Sequence, residues 1–404
     1  MSGAFTRDAS SYCAGDVIAG RYRITGAIGK GGFGAVYAGE HLGTHQEVAI
    51  KMLAVDAHSA DSALTERFYR EARITAALSH PNTVRVFDVG EAEGGPLYLI
   101  MELLRGPTLE RVLRRQEEAG TPLTQLQAID LAVPILRALA EAHQADLVHR
   151  DLKPANIILA LLSSDEPLIK VLDFGLARTE DSSITGDGKS LGTPAYMSPE
   201  QCRGEDVDAR SDLYALGVIL YRCLAGRLPF VADKPLALMY MHANEPPQDL
   251  REVAAGPLDG QLADLVMQAL AKQPDDRPPS AQAMRSDLEA HRRRLLAAAA
   301  VGQTAAEEGL AVTAAAGSIR ALVDAAGPLP PMLQNRQSAF ADQSGGPMTR
   351  ENAATQSKTV QANALPPPQP AMPRWLLPSL LAGALLVVGF ALWLWLAAPP
   401  APPV

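Results

Sequence analysis

The sequence predicts an α+β chain, strand-forming around a single helix up to Leu103 and mainly helical beyond it, continued by a flexible linker and one apolar span. Three observations carry this expectation. Apolar residues recur with a period of two in segments up to Leu103 and with a period of about 3.6 from Leu123 onward. After His291-Arg292-Arg293-Arg294 the composition turns first to Ala, then to Pro, Gln, Ser, Asn and Gly. Trp375 to Ala398 contains no charged residue.

With 404 residues the chain has room for two or three units of about 150 residues each, and 47% apolar content permits a large core. A net charge of −9 argues against a general nucleic-acid binder, for which a basic stripe is expected. The three cysteines, Cys13, Cys202 and Cys223, have no metal-ligand spacing and fit a reducing compartment. The N-terminus lacks a secretory signal, so residues 1 to 300 are not expected to be exported.

Residues 1–15 are small and polar and are expected to fray, and the folded domain is read as 16–296. Arg21 to Ile24 alternates polar with apolar and leads into Gly29-Lys30-Gly31-Gly32-Phe33-Gly34-Ala35-Val36, where missing side chains let backbone N–H groups approach phosphates. The flanking segments read as strands, whereas a dinucleotide fingerprint needs a helix opening at its third glycine. Val48-Ala49-Ile50-Lys51 is a β-branched strand ending in a lysine. Phe68 to Leu78 has helical spacing with Glu71 inside it and Glu66 as a competing acid; His80-Pro81-Asn82 ends that helix. Val84 to Val89 and Leu97 to Leu103 read as strands separated by Gly94-Gly95-Pro96. Leu123 to Ala145 reads as a long helix in which Pro134 marks a kink or irregularity. Ile169 to Leu172 is a short strand that feeds Asp173-Phe174-Gly175, and a polar stretch then runs to Gly192-Thr193-Pro194-Ala195-Tyr196-Met197-Ser198-Pro199-Glu200.

Several of these motifs stand in one order and register. His149-Arg150-Asp151-Leu152-Lys153-Pro154-Ala155-Asn156 matches H-R-D-L-x-x-x-N without departure, behind a glycine-rich loop at Gly29, Gly31, Gly34 and Val36 and an intact V-A-I-K. D-F-G follows, and the closing A-P-E has Ser198 in place of Ala. Over roughly residues 17–295 the chain therefore resembles bacterial serine/threonine protein kinases of the eukaryotic-like (Hanks) type.

The resemblance implies the bilobal protein-kinase fold and transfer of the γ-phosphoryl of ATP to Ser or Thr hydroxyls of proteins, with Mg²⁺ or alternatively Mn²⁺. It gives Asp151 the acceptor proton, Lys153 a place beside the transferred group, and Asn156 and Asp173 the metal. Lys51 would hold the α- and β-phosphates with Glu71 as partner. Gly29, Lys30, Gly31, Gly32, Phe33, Gly34, Val36 and Ala49 would line the ATP site, with Met101 behind the adenine and backbone groups of Glu102 and Leu104 facing it. Asp212 would support the catalytic-loop backbone, Arg277 would pair with Glu200, and Thr193 would bond Asp151 and Lys153. Arg150 stands beside a segment rich in hydroxyls; Thr185 is the first candidate for autophosphorylation, followed by Ser182, Ser183 and Ser190. A nucleotide-binding scaffold without transfer is the alternative, and the complete set Lys51, Glu71, Asp151, Asn156 and Asp173 argues against it.

The tail divides in three. Residues 297–374 read as a flexible juxtamembrane linker, Ala-rich with helical tendency to about residue 326 and ending in a proline run. Residues 375–398 are long enough, at 1.5 Å per residue, to cross the ~30 Å core of a bilayer, with tryptophans near both ends. Arg374 on the N-terminal flank places the kinase in the cytoplasm, so the expectation is a single-pass inner-membrane protein with 399–404 outside. Ser379 and Gly383 have the small-xxx-small spacing of a helix pair, which makes a homodimer a candidate. The expected partners are ATP, protein substrates and the membrane, with no nucleic acid.

Overall fold

A computed structural model describes residues 8–328 except 32–33, 57–61, 94, 162–166, 175–193, 255, 257 and 304–317. Gly32, Phe33, Gly175, Ser182, Ser183, Thr185, Ser190, Thr193, the linker from 329, the apolar segment 375–398 and the tail lie outside the described residues. Among the described residues no helix is long and apolar enough to cross a membrane.

The small lobe comprises β1 (Val17–Ile18), β2 (Tyr22–Gly31), β3 (Gly34–His41), β4 (Glu47–Asp56), α1 (Ser62–Ala77), β5 (Val86–Glu91) and β6 (Pro96–Glu102). Its strands form one antiparallel sheet in the order β1-β2-β3-β4-β6-β5. The two-residue period of β4 divides the lobe. Val48, Ile50 and Met52 point to one face, where they bury with Ile24, Tyr37, Tyr98 and Ile100. Ala49 and Leu53 point to the other, Leu53 against Phe68 and Ala72 of α1 and Ala49 against Met101 and Leu104. Lys51 therefore shares the face of Ala49, opposite Val36 on β3 and Leu99 on β6.

The large lobe contains α2 (Leu109–Ala119), α3 (Gln125–Gln144), β7 (Ile157–Leu161), β8 (Pro167–Val171), α4 (Pro199–Arg203), α5 (Ala209–Ala225), α6 (Pro235–Asn244), α7 (Leu250–Val253), α8 (Gly260–Ala269), α9 (Ala281–Gln303) and α10 (Ile319–Ala325). Its core is built on α3 and α5, which are apolar nearly all round and so are buried on most sides. Capping boxes start α3 at Thr124 with Gln127 and α4 at Ser198 with Gln201. On α5, a Cβ at Gly217 would come within 2.9 Å of the Ala269 Cβ, so glycine lets α5 and α8 cross closely. The α3 helix runs from Gln125 to Gln144 with Pro134 inside it.

Three elements depart from the sequence expectation. The β7–β8 hairpin, of which only the second strand was expected, flanks the catalytic loop. Residues 8–15 do not fray where described: Ala9 and Tyr12 are buried in the small-lobe core, and the Tyr37 hydroxyl donates to the Ala9 carbonyl at 2.9 Å. An aromatic residue that can bury outweighs a polar surrounding. Residues 297–326, read as linker with helical tendency, include the end of α9 at Gln303 and α10, which buries Leu322, Val323 and Ala326 in the large-lobe core.

Candidate active site

The catalytic loop is fixed from below by Asp212, which is almost fully buried on α5. Its Oδ2 accepts from the His149 amide at 2.9 Å and lies 2.8 Å from His143 Nε2, and its Oδ1 accepts from the Arg150 amide at 2.9 Å. Arg150 stands at φ +63°, a conformation that costs a side-chain-bearing residue energy unless its surroundings impose it. They do: Asp212 holds its N–H, and Gln201 Nε2 donates to its carbonyl at 2.7 Å. The buried His149 ring lies 2.8 Å from the Leu172 carbonyl through Nε2 and packs on Phe174 with centroids 4.8 Å apart. That contact ties the catalytic loop to the strand end that carries Asp173.

On this scaffold three functional side chains of the loop meet. Lys153 Nζ donates to Asp151 Oδ2 at 2.7 Å, and Asn156 Nδ2 donates to the Asp151 carbonyl at 2.9 Å. Asn156 is itself drawn towards Asp173, because the Leu172 amide donates to the Asn156 carbonyl at 2.8 Å. Asp173, also at positive φ, reaches Lys51 Nζ at 2.7 Å. Burial would raise the Asp173 pKa, but the Lys51 ammonium beside it, with His149 and Lys153 farther off, outweighs that and holds it below the ordinary value. With Nδ2 of Asn156 already used, its Oδ1 is the atom left to face a cation. One amide oxygen and one carboxylate are too few for an all-protein cage and suit Mg²⁺, which keeps waters and phosphate oxygens in its shell.

Above the loop, Gly29, Lys30 and Gly31 on β2 stand opposite Val36, Ala35 and Gly34 on β3. At Gly34, φ is +130° and a Cβ would fall 1.9 Å from the Met52 carbonyl oxygen, so no other residue fits. Lys30 Nζ donates to the Ser10 carbonyl at 2.7 Å. Glu71 shares the inner face of α1 with Phe68, Ala72 and Thr75, whereas Glu66 is exposed.

Ala49, Met101 and Leu104 form one apolar cluster with Val84 and Ala160, flanked by Ile28, Val36 and Leu172. Ile28, Val84, Leu172 and Ala160 were not singled out from sequence, although Ile28 and Leu172 each adjoin a motif. The Glu102 amide donates to the Arg85 carbonyl at 3.0 Å and its carboxylate binds Lys170 and the Arg85 amide. What Glu102 can offer a base is therefore its carbonyl.

Away from the cleft, Arg277 and Glu200 form a buried bidentate pair at 2.8 and 2.7 Å, and Ser211 Oγ donates to the same carboxylate. Burial pushes the Glu200 pKa up, but Arg277 and Ser211 together bring it down to about 2. Another buried cation was missed from sequence. Arg222 on α5 donates to Glu110 and Glu117 on α2, each at 2.7 Å, and to the Tyr196 hydroxyl at 2.7 Å.

Comparison with known proteins agrees with this geometry. The chain is 40% identical over 301 residues to the serine/threonine-protein kinase pkn3 of Myxococcus xanthus, covering 72% of this chain and 54% of that one. It is 40% identical over 276 residues to PknB of Mycobacterium leprae, covering 66% and 42%. The chain thus spans about half the length of the relatives it matches. The crystal structure of the Mycobacterium tuberculosis PknI kinase domain superposes with a TM-score of 0.53 at 28% identity, covering 69% of this chain and 98% of that one. Residues 22–288 match the protein kinase domain family, and the chain belongs to that family.

Proposed function

We propose that this chain is an ATP-dependent serine/threonine protein kinase that works with Mg²⁺, or alternatively Mn²⁺, in bacterial signalling. The observation that carries the reading is the meeting of Asp151, Lys153 and Asn156 on one loop with the Lys51–Asp173 pair, joined by the Leu172–Asn156 backbone bond. In the reaction, the acceptor hydroxyl oxygen forms a bond to the γ-phosphorus while the bond from that phosphorus to the β–γ bridging oxygen breaks, and ADP leaves. Asp151 takes or orients the hydroxyl proton, and Lys153 holds that carboxylate in place while meeting charge on the moving phosphoryl group. Lys51 positions the α- and β-phosphates with Glu71 behind it, and the loop from Gly29 to Val36 closes over them. Asn156 Oδ1 and Asp173 would hold the metal, which when bound neutralises charge on the phosphate oxygens. The cluster of Ala49, Val36, Met101 and Leu104 takes the adenine, with the Glu102 carbonyl at its edge.

Lys153 and Gly192-Thr193-Pro194 favour Ser and Thr over Tyr as acceptor, with Thr193 bonding Asp151 and Lys153. Autophosphorylation falls first on Thr185 and then on Ser182, Ser183 or Ser190, where a phosphate would meet Arg150. Residues 375–398 anchor the kinase to the inner membrane on its cytoplasmic side, and Ser379 with Gly383 gives them a face for pairing with a second copy. The deciding experiment is transfer of label from γ-labelled ATP to a generic protein acceptor by the wild-type chain and by Asp151→Asn. Undiminished transfer in the variant overturns the assignment.

A further inference from the structure

The α10 segment lies beyond the kinase family match, yet it is seated on the large lobe. Ser318 caps its first turn, accepting from the Ala321 amide, and Gly327 at φ +74° ends it before Pro328. Leu322, Val323 and Ala326 are buried at 2%, 6% and 0% exposure in the core that α2 and α3 also fill, and Ile319 packs on its edge. Arg111 of α2 closes the other end: its Nε donates to the Ala326 carbonyl at 2.8 Å and its Nη2 to the Pro328 carbonyl at 2.7 Å. A guanidinium fork thus satisfies carbonyls that a helix end leaves without partners. A helix of seven residues is not stable by itself in water, so its order depends on this seat.

The seat is α2, and α2 is built into the nucleotide site. Just before it, the Arg105 carbonyl accepts from the Leu161 amide at 2.6 Å and the Pro107 carbonyl from the Leu159 amide at 3.0 Å. Thr108, its N-cap, forms an isolated bridge to Ile158. These bonds lock the start of α2 to β7, which begins directly after Asn156, while Leu104 lies four residues before Thr108. On its far side α2 holds Arg222 through Glu110 and Glu117.

We propose that residues 318–328 are a cis-docked strap that holds α2, and through it Leu104 and Asn156, in the geometry that binds nucleotide, with Arg111 as a positioning residue. The partner of the α2–α3 surface is this segment of the chain itself. It stands in the chain between the residues of the family match and those that lead to residue 375. The proposal rests on the kinase reading, so its test reads nucleotide binding as well as transfer.

The full chain, reconstituted in lipid nanodiscs, is compared with Leu322→Asp/Val323→Asp, with Leu322→Ala and with Arg111→Ala. The dissociation constant for a fluorescent ATP analogue in the presence of Mg²⁺ is expected to rise about tenfold in the double variant and about threefold in each single one, with kcat within about twofold of wild type. A synthetic peptide of residues 316–330 is expected to restore nucleotide affinity to the double variant, and a scrambled peptide is not. Wild-type nucleotide affinity in Leu322→Ala and Arg111→Ala overturns the strap even if the double variant fails to fold. Loss of kcat without loss of nucleotide affinity also overturns it. Wild-type chain that binds the analogue but transfers nothing counts against the kinase reading and leaves the strap to be judged on binding.

Discussion

Lys51 Nζ and Asp173 Oδ1 lie 2.7 Å apart, which joins β4 of the small lobe to the chain just past β8 in the large one. Only a tenth of the Lys51 side chain and a quarter of the Asp173 side chain meet solvent. A pair in that position couples the two walls of the cleft and holds the Asp173 carboxylate ionised at neutral pH. Lys51→Met and Asp173→Asn are each expected to lower phosphoryl transfer about a hundredfold or more, with far-UV circular dichroism unchanged. Radiolabel transfer by the purified variants checks this, and wild-type rates in either would remove the pair from the mechanism.

The Glu200–Arg277 pair gives a pH dependence with a definite sign. The Glu200 pKa is depressed to about 2 in the folded chain against an ordinary 4.5. Its contribution to stability is therefore complete above about 4.5 and fades as pH falls through that window towards 2. Glu200→Gln is expected to lower stability at pH 7 by about 3 kcal/mol, because it leaves a buried guanidinium without its counter-charge. The difference in melting temperature between wild type and variant is expected to shrink from pH 5 to pH 3 in a calorimetric series. A difference that stays constant over that range would mean that the pair is not what stabilises this corner.

Of these two pairs, Glu200–Arg277 was read from the resemblance, whereas Lys51 was read as the partner of Glu71 and its contact with Asp173 was not read from the sequence. Asp151, Lys153 and Asn156 were legible because they are neighbours in the chain before they are neighbours in space. What was not legible depends on long-range contact. Arg222 meets Glu110 and Glu117 across 112 and 105 residues, and in the sequence it is only a cation inside an apolar helix. The strap was hidden differently, since its Ala-rich surroundings dominate any window average, although Ser318 and Gly327-Pro328 are start and stop signals for a short helix. Tyr12 had no periodic neighbours at all, and its burial follows from the sheet face that receives it.

Asp212 bears on turnover more than on binding. It holds the amides of His149 and Arg150, so its removal frees a strained backbone one residue from Asp151. Asp212→Asn keeps the shape but replaces one of the two accepting oxygens with an NH2 donor, and is expected to lower kcat about tenfold while the KM for ATP stays within about twofold. Steady-state kinetics at saturating acceptor separates the two constants. A rise in KM without loss of kcat would place Asp212 outside the catalytic loop's support.

The proposed membrane anchor is tested by deletion. Chain lacking residues 375–404 is expected in the soluble fraction after carbonate extraction, with the full chain remaining in the pellet, because 24 uncharged residues can satisfy their backbone groups as a helix within the hydrocarbon core. Membrane retention of the deleted chain would put the anchor elsewhere.

Arg222 is the buried cation on which α2, α5 and Tyr196 converge. Burial raises the Glu110 pKa, and the nearby Arg222, with Arg114, reverses this and brings it below the ordinary carboxylate value. The Tyr196 phenol, raised by its own burial, donates nothing to the guanidinium and instead accepts from it. Arg222→Met would fill similar volume but leave two carboxylates facing one another and a buried phenol oxygen without its donor. The expected cost is about 3 kcal/mol, with the Glu110 pKa moving upward once its main cation is gone. By the sign of that change, the variant should regain part of its lost stability as pH falls from 7 to 5, where protonating Glu110 relieves the repulsion, while the wild type gains nothing there from this site. Restoring a neutral pair with Arg222→Met/Glu110→Gln should recover part of the loss at pH 7. Denaturant titrations of the three chains at pH 5 and pH 7 measure both effects, and an Arg222→Met chain as stable as wild type at pH 7 would show that the network does not hold α2 in place.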